Sequence, residues 1–188
     1  MRKAWIFLAI FVFLIFVGIA WYISGLNRVV RMDEEASEAW AQIDTQLKRR
    51  SELIPDLVAT VKRYVKHERE VFTHVADARS ALAGARTVAE KLKAAKELDG
   101  ALARLLAIVE RYPDLKANQT FLRLMDELSG TTNRIAVARV RYNRAVKTFN
   151  AHIREVFGRF FAKRRGLAES RTYFVVEKEE AEIPGVEF

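Results

Sequence analysis

The sequence predicts an all-α protein, an N-terminal transmembrane helix followed by an antiparallel bundle of three to four long helices. Three observations carry this. Residues 4–23 (AWIFLAIFVFLIFVGIAWYI) are twenty positions without a charge or a proline. From Ala36 to Phe160 apolar residues recur in steps of three, four or seven, as on one buried helix face. No stretch of the chain shows the two-residue apolar alternation of a half-buried strand.

The first element is the apolar run. At 1.5 Å per residue twenty helical positions reach about 30 Å, the thickness of a bilayer's hydrocarbon core. Trp5 lies near one end and Trp21 and Tyr22 near the other, where amphipathic rings sit at membrane interfaces. A cleaved signal peptide is the competing reading. It is disfavoured because its apolar region is shorter and Gly18-Ile19-Ala20-Trp21-Tyr22 makes a poor cleavage site. Arg2 and Lys3 precede the run and Arg28 and Arg31 follow it, so the positive-inside rule leaves both orientations open.

The second helical stretch carries Ala36, Trp40, Ile43, Leu47, Ile54, Val58, Val61, Val65, Phe72, Val75 and Leu82 on its stripe. Pro55 interrupts it. Proline lacks the amide donor and clashes with the carbonyl four residues back, so a sharp kink or a break is expected there. Thr87-Val88-Ala89-Glu90 fits a capping box that starts a further helix through Val88, Leu92, Ala95, Leu102, Leu105 and Val109, ending at Tyr112-Pro113. The stripe resumes at Leu115, Asn118, Leu122, Met125 and Leu128. It runs on through Ile135, Tyr142, Val146, Phe149, Ile153, Val156 and Phe160. The mean spacing of 3.5 favours shallow, left-handed packing of the coiled-coil kind. The chain thus divides into a tail and span at 1–26, a bundle at 27–171 and an acidic tail at 172–188. That tail is expected to lie extended against the bundle through Tyr173, Phe174 and Phe188.

Composition narrows the chemistry. The 188 residues contain no cysteine and three histidines, which excludes disulfides, thiolate nucleophiles and Cys-based metal centres. His67, Glu70 and His74 stand at i, i+3 and i+7. A di-iron bundle, however, draws a Glu-x-x-His motif from each of two helices, and His152 with Glu155 offers no match. These residues read as a solvated face, and neither metal nor cofactor is expected. Gly-rich phosphate loops and the Gly-x-Ser-x-Gly elbow are missing from the sequence, so no enzyme is predicted.

Polar residues on the stripe need partners, because an unpaired buried charge costs several kcal/mol. Glu68, Arg79, Thr132 and Arg139 fall at such positions. Glu68, Arg79 and Arg139, with Asn143 as a hydrogen-bonding neighbour, are expected to form a buried network that fixes helix register. An internal site for a ligand or ion is the other reading.

The net charge of +8 is unevenly placed. Between Arg134 and Arg165 stand ten basic residues and one acid, while residues 166–188 are acidic on balance. Arg141, Arg144, Lys147, Arg154 and Arg159 are expected to form an exposed basic ridge on one helix, suited to anionic lipid headgroups or an acidic protein. A plain solvated face is the other reading. For a tethered chain, nucleic acid is the weaker candidate. A homo-oligomer is compatible with the pattern.

Several motifs together resemble the LemA family. They are Trp40-Ala41-Gln42-Ile43-Asp44, Gln46 to Arg50, Leu53-Ile54-Pro55-Asp56-Leu57-Val58, His67-Glu68, Ala78-Arg79, Glu110 to Asn118, Asn133 to Arg139, Tyr142-Asn143, Phe149-Asn150 and the closing Pro184-Gly185-Val186-Glu187-Phe188. Thr132 stands where the family commonly has Glu. The stretch Val156 to Ala162 lacks the proline often found after the last helix, so a longer last helix is expected. The resemblance implies a bacterial single-span protein of the plasma (inner) membrane with a long-helix bundle and no established enzymatic activity. Some such proteins are encoded beside membrane-bound zinc metalloproteases, and a relative takes part in magnetosome formation. The function expected is a non-enzymatic scaffold or adaptor of the cell envelope. The alternative is a regulatory or substrate-presenting partner of a membrane-bound metalloprotease.

Overall fold

The computed structural model describes residues 2–65 and 67–174. Its helices are α1 (Arg2–Lys62), α2 (Arg69–Gly84), α3 (Val88–Val109), α4 (Pro113–Lys116), α5 (Gln119–His152) and α6 (Val156–Arg165). No strand occurs among the described residues. The start of α1 is long and apolar enough to cross a membrane, and every residue from Trp5 to Ser24 is exposed. The described residues form two compact units, one of residues 2–39 with 142–173 and the other of residues 40–141 with Phe174.

In the second unit, side-chain ties give the helix directions. The Lys62 ammonium lies 5.2 Å from the Phe72 ring centre, and Arg79 reaches Ser51, so α2 runs antiparallel to the end of α1. Lys91 pairs with Asp44 and Arg50 with Asp99, which makes α3 parallel to α1. Asn118 donates to the Tyr64 hydroxyl at 3.0 Å and Arg49 faces Glu127 at 3.8 Å, so α5 returns antiparallel. The result is an up-down-up-down bundle. Its core is Ile43, Leu47, Ile54, Leu57 and Val61 of α1, Phe72, Val75 and Leu82 of α2, Leu98, Leu102 and Leu105 of α3, and Phe121, Leu124, Leu128 and Ile135 of α5. Burying each such side chain is worth about 2 kcal/mol, far more than any surface ion pair here.

Pro55 does not break the chain: it lies inside α1, which continues to Lys62. The missing amide would have bonded the Ser51 carbonyl, four residues back. That carbonyl instead accepts from Arg79 Nε at 3.1 Å. An otherwise orphaned acceptor is thereby satisfied by the neighbouring helix. Arg79→Leu is expected to cost about 1 kcal/mol in the native sequence. It should cost clearly less once Pro55→Ala restores the amide. Denaturant unfolding of the full chain in detergent, run as a double-mutant cycle, measures this, and equal losses in both backgrounds would disconnect the two residues.

The Thr87 start is as expected. Thr87 Oγ1 accepts from the Glu90 amide at 3.2 Å, and the Glu90 carboxylate accepts from the Thr87 and Arg86 amides at 3.0 and 2.8 Å. Those two amides, Thr87 first, hold the Glu90 carboxyl below its ordinary range. Asn118 is not a stripe residue. Its Oδ1 accepts from the Thr120 and Phe121 amides, both at 3.0 Å, and caps the start of α5. The cap resets the helical phase, so Phe121 and Leu124 point inward and Leu122 is exposed.

In the first unit, Val29 packs with Phe149, Ile153, Phe161 and Ala162, and Leu26, Met32 and Leu167 close over them. The last helix is not longer but divided: α5 stops at His152 and α6 starts at Val156. Glu155 between them is extended (φ −67°, ψ 153°). Gly158 lets α6 settle onto the end of α5, since a Cβ there would lie 1.9 Å from the His152 carbonyl oxygen. Val156 and Phe160, expected on the buried stripe, are exposed, and Phe161 is buried in their place. Gly166, at φ +71°, ends α6, with the Leu167 amide donating to the Ala162 carbonyl at 2.9 Å. The chain then runs without helix or strand to Phe174. Phe174 is buried while Tyr173 is exposed, and Phe188 lies outside the described residues.

Candidate functional site

A dense polar constellation of the first unit is built around Arg171, in the strap after α6. Its Nε donates to Asp33 Oδ1 at 2.8 Å and its Nη2 to Ser37 Oγ at 2.7 Å. Ser37 Oγ in turn donates to the Asp33 carbonyl one helical turn back, at 3.0 Å. The main chain of Arg171 is read by Asn150, whose Oδ1 accepts from the Arg171 amide at 2.8 Å and whose Nδ2 donates to the Arg171 carbonyl at 2.9 Å. Buried Asn150 thus pairs the strap as a β-strand would, from a helix. Tyr142 completes the clamp by donating its hydroxyl proton to the Thr172 carbonyl at 2.8 Å.

Burial pushes the Tyr142 phenol above its ordinary value of 10.0, with the Arg171 charge opposing. A group whose folded pKa is raised contributes stability below its unfolded value, and that contribution fades as pH rises through the folded one. Denaturation midpoints of wild type and Tyr142→Phe should therefore converge as the pH is raised above 10. A constant gap would show that ionisation of Tyr142 is not linked to folding.

The expected network of Glu68, Arg79, Arg139 and Asn143 does not exist as one buried cluster. Glu68 stands ahead of α2 and is half-buried, and its carboxylate meets the exposed Arg111 guanidinium at 2.7 Å. Arg79 is exposed and serves Ser51. Arg139 is half-buried with its guanidinium stacked 3.8 Å from the Phe174 ring centre. Asn143 is also half-buried and belongs to the other unit. Thr132 is exposed, its hydroxyl bonded to the Leu128 carbonyl at 3.0 Å, while its neighbour Thr131 is buried. Counting one period through the gap between Lys62 and Arg69 placed Glu68 on a helical face that ends before it.

His67 likewise precedes α2, so it does not share a face with Glu70 and His74. Those two approach to 3.5 Å and are both exposed. His152 Nδ1 meets the Glu155 carboxylate at 2.9 Å across the α5–α6 turn. That pair serves the turn rather than a ligand.

Arg141, Arg144, Lys147, Arg154 and Arg159 are all exposed. They do not share one helix: Arg141, Arg144 and Lys147 are on α5, Arg154 is in the turn and Arg159 is on α6. In the second unit Arg134 and Arg141 help line an open groove of about 490 Å³ between α1 and α5, with Gln46, Val137 and Ala138. In the first unit α6 adds Lys163, Arg164 and Arg165 to Arg159.

α6 also touches the end of the apolar run. The Trp21 ring meets Phe157 and Phe161 edge-on, with centroids 5.5 and 5.2 Å apart, and Tyr22 meets Phe161 at 5.9 Å. A Cβ on Gly25 would lie 2.3 Å from the Phe161 ring, so glycine there is what admits α6.

The sequence profile of the LemA family matches residues 39–188. The chain belongs to the LemA family. Its relatives include magnetosome protein MamQ 2 of Paramagnetospirillum magneticum, 28% identical over 161 residues, covering 72% of this chain and 59% of that protein. MamQ of Magnetospirillum gryphiswaldense is 29% identical over 153 residues, 68% of this chain and 56% of the relative. Protein LemA of Metamycoplasma hominis is 27% identical over 152 residues, 78% of this chain and 68% of its own length. The chain spans less than three fifths of the length of these magnetosome proteins. The LemA match takes in Tyr142, Asn150, α6 and Arg171, and the apolar run of α1 lies ahead of it. With that run, the chain is a membrane-associated helical protein of the LemA family.

Proposed function

We propose that this LemA protein is a single-pass, non-enzymatic scaffold or adaptor of the bacterial cell envelope, held in the plasma membrane by residues 4–23. The observation that carries the reading is α1 itself. One helix, Arg2–Lys62, carries the exposed apolar segment at its start and the core residues Ile43 to Val61 towards its end, so the bundle and the apolar run are parts of one continuous element. The polar clusters support the same reading, since Arg171, Asp33, Ser37 and Asn150 are taken up in tying the chain to itself. What remains for partners is surface, above all the exposed basic residues.

Copurification of the full chain from its native membrane, followed by mass spectrometry, tests the role. Envelope proteins recovered without a stoichiometric protease are the result expected of a scaffold. A membrane protease recovered one-to-one would replace it with the adaptor role. Metal analysis of the same sample checks the absence of chemistry, and stoichiometric iron or zinc would overturn the reading.

A further inference from the structure

We infer that α6 is an interfacial foot: it lies in the headgroup layer of the bilayer that α1 enters and binds anionic phospholipid there. The inference rests on the reading of residues 4–23 as a membrane span. Three observations carry it.

The first is the pattern of α6 itself. Gly158, Phe161 and Ala162 form its inward face and are buried. Val156, Phe157 and Phe160 stay 83, 64 and 45% exposed. An outward aromatic face of this kind costs free energy in water and gains it in a headgroup layer.

The second is position. Phe157 and Phe161 lie against Trp21, and Phe160 and Phe161 against Tyr22. Trp21 and Tyr22 close the apolar run at the point where interfacial aromatics belong. The outward face of α6 is therefore continuous with the exposed surface of the span's last turn, at headgroup depth.

The third is charge. Arg159, Lys163, Arg164 and Arg165 are all exposed on ten residues that carry no acid. Arg164 lies over the outward Phe160 ring, 5.5 Å from its centre, so cation and aromatic present together. A basic amphipathic helix with aromatics on its apolar side is suited to an anionic membrane surface. A folded acidic protein would instead have to cover Val156, Phe157 and Phe160 at the foot of a span already surrounded by lipid.

The absence of native cysteine makes the test direct. Single cysteines at Phe157, Phe160, Ile15 and, as an exposed control, Glu97 are spin-labelled in the full chain. The labelled chain is reconstituted in nanodiscs of phosphatidylcholine with 0% or roughly 30% phosphatidylglycerol. Oxygen and a water-soluble nickel complex then report depth.

Labels at Phe157 and Phe160 are expected at headgroup depth in the anionic discs, with Ile15 in the hydrocarbon and Glu97 in water. With each cation near the surface worth about five-fold in lipid binding, replacing Arg159, Lys163, Arg164 and Arg165 together by Gln should lower the preference for anionic over neutral discs by more than 100-fold. Water-exposed labels at Phe157 and Phe160 beside a buried Ile15 would overturn the foot and leave the anchor standing. A water-exposed Ile15 would overturn the anchor and the foot with it. Spin–spin broadening at Phe157 would place a second copy of the chain on this face and overturn the lipid assignment.

Discussion

Arg171→Ala is expected to destabilise the first unit by about 2 to 4 kcal/mol. The substitution removes two hydrogen bonds involving a charged group, each worth about 1.5 to 3 kcal/mol. It also leaves the Asp33 carboxylate, whose side chain is only 16% exposed, without its cation. The main-chain bonds from Asn150 survive the change, since they use the backbone of residue 171. Asn150→Ala therefore removes the other half of the clamp, and the two losses can be compared. Arg171→Lys should recover part of the loss and no more. An ammonium keeps the charge but lacks the planar fork that reaches Asp33 and Ser37 together. Denaturant unfolding of the full chain in detergent measures the effect, and limited proteolysis should cut the freed strap first. A loss below about 0.5 kcal/mol would reduce the Asp33 pair to an ordinary surface contact.

Gly158→Ala carries the second large effect, and here two terms oppose. Alanine in place of glycine within a helix gains about 1 kcal/mol. The new methyl, however, would stand 1.9 Å from the His152 carbonyl oxygen. Backbone cannot rotate aside as a side chain can, and overpacking of this kind costs about 3 kcal/mol. The clash wins, for a net loss of about 2 kcal/mol and a displaced α6. Trp21 reports the displacement, since its ring rests on Phe157 and Phe161. Its fluorescence should shift in G158A but not in Gly100→Ala, where a Cβ meets nothing within 4 Å. Gly100→Ala should instead raise stability by about 0.5 to 1 kcal/mol. Unchanged stability in both variants would mean that the two helices do not need their close approach.

These two residues also mark where the sequence was legible and where it was not. The apolar run, the all-helical class and the Thr87 capping box each rest on neighbours in the chain, and local patterns read them correctly. The LemA motifs placed Tyr142 and Asn150 among the family's residues without showing their purpose. Arg171 carried no signal: its partner Asp33 is 138 positions away, and a strap without helix or strand has no period. Gly158 did carry one. A glycine three residues after Glu155 weakens a helix there, but the apolar spacing Phe149, Ile153, Val156, Phe160 keeps its period across the turn and so favours one longer helix. The Glu68 error has the same origin, a period counted across a break. At Pro55, of the kink or break that the sequence allows, there is no break: α1 continues to Lys62, and Arg79 takes up the freed Ser51 carbonyl.

The tie between Asp33 and Arg171 has a consequence for the order of events during synthesis. The second unit is almost contiguous in the chain, from Trp40 to Arg141, and its helices can pair as they emerge. The first unit joins the two ends. Val29 and Asp33 leave the ribosome early, whereas Phe161 and Arg171 follow about 130 residues later. At typical elongation rates of roughly 5 to 20 residues per second, that gap lasts on the order of 7 to 28 s. Val29 and Asp33 therefore wait unpartnered while the second unit's helices pair, and the strap closes over α1 last. Truncation at residue 165 would leave the second unit's helices intact and the clasp permanently open.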